Sequence, residues 1–177
     1  MPSMPSIAAT SPPPAVCFLD KQDSSTFVGT AGAQLGDFVM FHYVGTLKES
    51  NQVFDSTRGG LNYRDGGLGV LRPAIIKLGD AAVPGIVSGL TVALIGLKVG
   101  QTLSISVPPE LGFGQQETVL APYAIVPPGS TLLYEIELIR VSRRGIDDLM
   151  RGVSSCGAGF VMEKTEGCGS ITYAEFL

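Results

Sequence analysis

Tryptophan is absent from these 177 residues, and histidine occurs once, as His42. The three cysteines, Cys17, Cys156 and Cys168, form no CxxC pair. With a single imidazole beside them there is no preformed set of zinc ligands, so no metal site is expected. Positive charge is also scarce: 12 Lys and Arg against 16 Asp and Glu leave a net charge of −4. The single basic cluster, Arg140, Arg143 and Arg144, is too small for a nucleic-acid face. No apolar run reaches the roughly 18 residues of a membrane-spanning helix. What these gaps leave is a soluble chain, read as a monomer, with no nucleic-acid partner and no membrane span.

Hydrophobic residues make up 45% of the chain, enough to bury a core. Together, 23 Gly and 12 Pro imply many turns and hence a β-rich fold. Residues 1–15, MPSMPSIAATSPPPA, carry no charged side chain and have a composition that builds no core. They read either as a floppy terminus or as the remnant of a presequence, although no basic residue precedes Lys21. The boundaries drawn are 1–33 for a disordered, low-complexity extension, 34–142 for the folded domain, and 143–177 for a C-terminal extension with two cysteines.

Within the domain, the run from Gly36 to Gly45 places Val39, Phe41 and Tyr43 on one face of a strand, with His42 half-exposed on the other. Lys48 to Asn51 reads as a turn, Val53 to Thr57 as the returning strand, and Gly59 to Gly69 as a long loop. Pro84 suits a first helical residue. Ile86, Leu90 and Leu94 then form one stripe of a short helix ending near Gly96. Val87, Val92 and Ile95 are also apolar, which predicts cover on more than one side of that helix. Thr102 to Val107 alternates three hydroxyls with three aliphatics, the pattern of a strand with one face buried. The prolines and glycines of 108–129 are expected to break any regular element. Thr131 to Val141 is the longest strand, with Tyr134, Ile136 and Leu138 inward and Glu135 and Glu137 outward.

Six segments now carry a resemblance. FHYVGTL (41–47), VFDST (53–57), PGIVSGL (84–90), GLKVGQ (96–101), VPPELGFG (107–114) and VPPGSTLLYEIELI (126–139) resemble FKBP-type (FK506-binding) peptidyl-prolyl cis-trans isomerases in content and order. The likeness spans about Gly36 to Val141. It implies an α+β fold, a half-wrapped antiparallel sheet with one short helix across its concave face, and a proline pocket between them. It also implies proline-containing polypeptides as partners, FK506- or rapamycin-like macrolides as ligands, and no cofactor. Position by position, Tyr43, Phe54, Asp55 and Tyr134 match the family's catalytic pocket. Ile86, Val87, Leu90, Phe113 and Val126 match its substrate-binding positions, with the Val87 segment offering a backbone N–H to a substrate carbonyl and Leu90 on the floor. Read from the residues alone, Tyr43, Phe54 and Tyr134 are equally core aromatics, and Asp55 equally caps a turn.

The chemistry suits such a site. Rotating an X–Pro bond breaks amide conjugation against a barrier of ~18–20 kcal/mol, and no covalent bond to the enzyme is needed. An apolar pocket and well-placed donors favour the twisted amide.

Three positions depart from the family. Leu90 stands where most active members have tryptophan, Phe113 where tyrosine is usual, and Ala74 or Ile76 where another aromatic wall is expected. The lost indole surface weakens substrate contact by roughly 1–2 kcal/mol. The departures resemble the chloroplast (thylakoid-lumen) branch; otherwise a cytoplasmic location is expected. Two functions from different classes remain, an isomerase and a non-catalytic FKBP-like binding or assembly factor. Beyond Val141 the resemblance stops. Gly145 to Arg151 reads as a helical turn, and Cys156 and Cys168 stand in glycine-rich surroundings. They read either as a disulfide closing a short loop, worth ~3 kcal/mol, or as free thiols. A redox-sensing role would rest on them alone.

Overall fold

A computed structural model describes residues 13–23, 31–58, 73–80, 85–120, 124–155 and 174–176 of the protein. Residues 1–12, the expected loop at 59–69, Pro84, Cys156 and Cys168 lie outside these. Seven strands form the main sheet: β1 (Cys17–Asp23), β2 (Phe38–Leu47), β3 (Val53–Ser56), β4 (Ala74–Lys77), β5 (Gln101–Val107), β8 (Leu132–Ser142) and β9 (Ala174–Phe176). Their order is β1-β5-β8-β2-β3, with β4 also on β2 and β9 also on β8. Every pairing is antiparallel except β9 on β8. A separate hairpin joins β6 (Thr118–Leu120) to β7 (Ala124–Val126). Among the described residues two α-helices, α1 (Ser88–Leu94) and α2 (Asp148–Ser155), and one 3-10 turn at Pro109–Leu111 complete the fold. The architecture is α+β, as expected, with α1 against one face of the sheet. None of the described helices is long and apolar enough to cross a membrane.

Alternation builds the inner face. Val39, Phe41 and Tyr43 on β2, Leu103, Ile105 and Val107 on β5, and Leu132, Tyr134, Ile136 and Leu138 on β8 are all buried in one cluster with Leu90, Ala93 and Leu94 of α1. Each fully buried Leu or Ile here is worth ~1.5–3 kcal/mol relative to exposure. Gly89 brings α1 close: a Cβ there would lie 2.4 Å from Val107 Cγ1. The helix begins at Ser88, later than the Pro84–Gly85 start read from the sequence, because Gly85 takes a left-handed φ of +79° and Val87 is extended. Its cover is one-sided. Val87 is buried, but Val92 and Ile95 are 49% and 44% exposed, against the expectation of cover on more than one side. Gly96 is left-handed, but its N–H goes to the Ala33 carbonyl and not back to the helix.

The sheet also reaches further along the chain than composition suggested. Residues 17–23, assigned to the low-complexity extension, pair with β5. Within 108–129, where no regular element was expected, β6 and β7 pair Val119 with Ile125.

A bulge in β8 makes a second, outer core. Leu138 faces Phe41 and Arg140 faces Met40, so Ile139 is the extra residue. Ile139 and Arg140 then both face outward, against the usual alternation. Met40 and Ile139 pack there with Met150 of α2, beside Phe38 and Ile75. Asp147 fastens the helix: its Oδ1 accepts from the Met150 N–H at 2.9 Å, and its Oδ2 accepts from Arg140 Nε at 2.9 Å. Burial alone would raise the Asp147 pKa. The hydrogen bond and charge of Arg140, with backbone N–H groups, outweigh it and hold the carboxyl below its ordinary value. The expected helical turn is therefore a seated helix that starts at Asp148.

Candidate functional site

Strand alternation forbids two neighbouring residues from facing the same way, yet Phe54 and Asp55 both point inward. The pairing of β2 with β3 explains this. Gly45 faces Asp55, whereas Thr46 faces Val53, so Phe54 is an extra residue on β3. The bulge turns both side chains toward the inner face.

Asp55 Oδ2 accepts a hydrogen bond from the Tyr43 hydroxyl at 2.6 Å, both groups being buried. The Phe54 ring stands edge-on to Tyr134 and to Phe113, with centroids 5.7 Å and 5.9 Å apart and interplanar angles of 84°. Tyr43 meets Tyr134 at 5.9 Å and 65°. Edge-to-face contacts of this kind add ~0.5–1.5 kcal/mol each beyond area burial. Sequence reasoning missed the residue that makes room for them. Gly45 lies opposite Tyr134 on β8. A Cβ there would come within 2.6 Å of Phe54 Cζ and 2.9 Å of Tyr134 Cε1. Its signal was present: a glycine continuing the inward register of Phe41 and Tyr43 marks a close approach.

The remaining positions join the same cluster. Ile86, Val87, Leu90 and Val126 are buried in it, with Phe113 packed against it and half-buried. Val87 caps α1 in extended conformation, and its carbonyl accepts from Leu90 and Thr91. Its N–H is one of the four at a helix start with no partner inside the helix. Ile76 belongs to the buried cluster and Ala74 packs against it, both on β4 beside β2. All nine residues singled out in the sequence are thus brought together, Asp55 through Tyr43 and the others by apolar contact.

Behind the site, His42 is buried and not half-exposed as expected. The reason lies fifteen residues away: Thr57 Oγ1 sits 2.9 Å from His42 Nδ1, and Arg58 pairs with Glu137, the residue facing His42 on β8. Burial, then the Arg58 charge, lower the His42 pKa from 6.5 to about 4, with a hydrogen bond to the Thr57 backbone opposing. At neutral pH the ring carries no charge.

What the arrangement offers is an apolar, aromatic-walled cluster with one carboxylate fixed on one phenol. Comparison with known proteins gives the family. Residues 29–139 match the family described as FKBP-type peptidyl-prolyl cis-trans isomerase. FK506-binding protein 2 of Kluyveromyces lactis is 32% identical over 116 residues, 66% of this chain and 71% of that protein. Peptidyl-prolyl cis-trans isomerase FKBP15-3 of Arabidopsis thaliana is 31% identical over 109 residues, 62% of this chain and 63% of that protein. Among solved structures, that of the three FKBP domains of wheat FKBP73 aligns with a TM-score of 0.51 and 26% identity, over 67% of this chain and 44% of that one. The chain thus spans less than two thirds of the Arabidopsis protein and under half of the wheat structure.

Proposed function

The chain belongs to the FKBP-type peptidyl-prolyl cis-trans isomerase family, and on that premise we propose that it accelerates rotation about X–Pro bonds in protein substrates without a covalent intermediate or a cofactor. The observation that carries the reading is the Tyr43–Asp55 hydrogen bond set among the edge-on rings of Phe54, Phe113 and Tyr134. In this reading the proline ring is held among Tyr43, Phe54 and Tyr134, over Leu90 and beside Val126. The apolar surroundings disfavour the charge-separated planar amide, and the Val87 N–H receives a substrate carbonyl. Asp55 orients the Tyr43 hydroxyl and acts as no general base. The protein works as a monomer on proline-containing polypeptides, and FK506-like macrolides compete for the same cluster.

A second reading is favoured by Leu90, the Ala74 or Ile76 position and Phe113, where the bulky or hydroxylated walls of the family are missing. It is a binding or assembly factor that grips proline-containing segments and turns them over slowly. A prolyl-isomerisation assay on a Xaa-Pro peptide separates the two, using wild type, Asp55→Ala and Leu90→Trp. The isomerase reading expects wild type above background, Asp55→Ala lower and Leu90→Trp higher. Three rates equal to the uncatalysed one would leave only the binding reading. The thylakoid-lumen compartment belongs to the same proposal, and imaging of the tagged chain in plant cells tests it.

A further inference from the structure

β3 ends at Ser56, yet the next residue stays bonded to β2. Thr57 donates its backbone N–H to the Tyr43 carbonyl at 3.0 Å. In a regular antiparallel pair the Tyr43 N–H would return to the Thr57 carbonyl. Here it goes to the Thr57 hydroxyl oxygen instead, at 2.8 Å. That hydroxyl in turn donates to the Tyr43 carbonyl, 3.2 Å away. The same hydroxyl lies 2.9 Å from His42 Nδ1, so the buried ring stands against the Thr57 side chain.

The chain bends away from the sheet at Thr57 and Arg58. The hydroxyl replaces the carbonyl that the bend removes, so both backbone groups of Tyr43 keep a partner. This matters because of where Asp55 sits. On one side of it the pairing slips at Phe54, and on the other the strand ends within one residue. Thr57 is the last tie between β3 and β2 beyond Asp55.

We infer that Thr57 is a positioning residue of the site: its hydroxyl holds the Tyr43 backbone in register with β3 and so sets the Tyr43–Asp55 hydrogen bond. The effect on rate rests on the isomerase reading; the effect on the bond does not.

Two measurements test it on the full chain. The first is kcat/KM on a Xaa-Pro peptide for Thr57→Val and Thr57→Ser, each in the wild-type and Tyr43→Phe backgrounds. The second is the proton NMR signal of the Tyr43 hydroxyl, which a short buried hydrogen bond moves downfield. Thr57→Val is expected to lower kcat/KM roughly three- to tenfold, the factor of one ordinary hydrogen bond, and to shift the hydroxyl signal upfield. Thr57→Ser restores both. In the Tyr43→Phe background, where the bond is already gone, Thr57→Val brings no further loss. An unshifted hydroxyl signal in Thr57→Val overturns the inference, as does an equal loss of rate in both backgrounds. If wild type shows no turnover, the isomerase reading fails while the hydroxyl signal still decides the role of Thr57. Should Thr57→Val not fold, Thr57→Ala is read in the same way.

Discussion

The Tyr43 hydroxyl gives its proton to Asp55 Oδ2 over 2.6 Å, at the point where the register of β2 and β3 slips by one residue. The slip is what lets a carboxylate and the Phe54 ring reach the same interior. It also makes the carboxylate depend on its neighbours for its aim.

Asp55→Ala removes the acceptor and leaves a buried phenol with an unmet donor. A loss of about 1–3 kcal/mol in unfolding free energy is expected, together with a lower kcat/KM. Tyr43→Phe takes the phenol donor away from a buried carboxylate, a charged acceptor, so its stability loss should be at least as large. Urea denaturation beside the peptide assay checks both.

Gly45→Ala sets a methyl group against Phe54 and Tyr134. Overpacking of this size costs about 1–3 kcal/mol. Because the displaced rings belong to the site, kcat/KM should fall as well. Gly36→Ala offers a contrast, since no atom lies within 4 Å of a Cβ there and its left-handed backbone alone is strained. It should lower stability and leave the rate unchanged.

Leu90→Trp restores a broad floor. Substrate and FK506 affinity are expected to rise by about tenfold, from roughly 1–2 kcal/mol of added contact. Leu90 is fully buried, so the larger ring should also lower stability by about 1–3 kcal/mol through overpacking. Isothermal calorimetry and the denaturation midpoint read the two effects separately.

His42 carries a pH signature. Its folded pKa, about 4, lies below the ordinary 6.5. Between these values the unfolded chain takes up a proton that the folded chain refuses, so stability falls as pH drops through this window. Above 6.5 and below about 4 the contribution is flat. His42→Asn should remove the slope, seen as a difference in Tm profiles between variant and wild type. Asp147 acts in another window: its lowered pKa contributes stability that is lost only as pH falls below about 3.8.

Asp147→Ala removes a helix cap and breaks the Arg140 pair together. The expected loss is about 2–3 kcal/mol, between that of a cap and that of a buried ion pair. Asp147→Asn keeps a capping oxygen and should lose less. Thermal unfolding of the three proteins checks the order.

How much of this could be read from residues alone depends on where each cause lies. β2, β5 and β8 were legible because their alternation is local, and α1 because Leu90 and Leu94 recur at helical spacing. The positions that meet around Tyr43 were singled out through the ordered segments that resemble the family. His42 was misplaced because its cover, Thr57, comes from just beyond the end of β3. The bulges at Phe54 and Ile139 are visible only against the partner strand that lacks the extra residue. Val92 and Ile95 were expected under cover because hydrophobicity says what a side chain favours and not what stands over it. The hairpin of β6 and β7 escaped notice because three-residue strands among prolines leave no period to count.

The family match ends at residue 139, the residue that doubles up in β8. Trimming the protein to Ser142 would strip Met150 from Met40 and Ile139 and take Asp147 from Arg140. The shortened piece would then carry an oily scar on its back and tend to clump. A cut that keeps this outer core intact falls after α2, beyond Ser155, so the family border and the packing border differ.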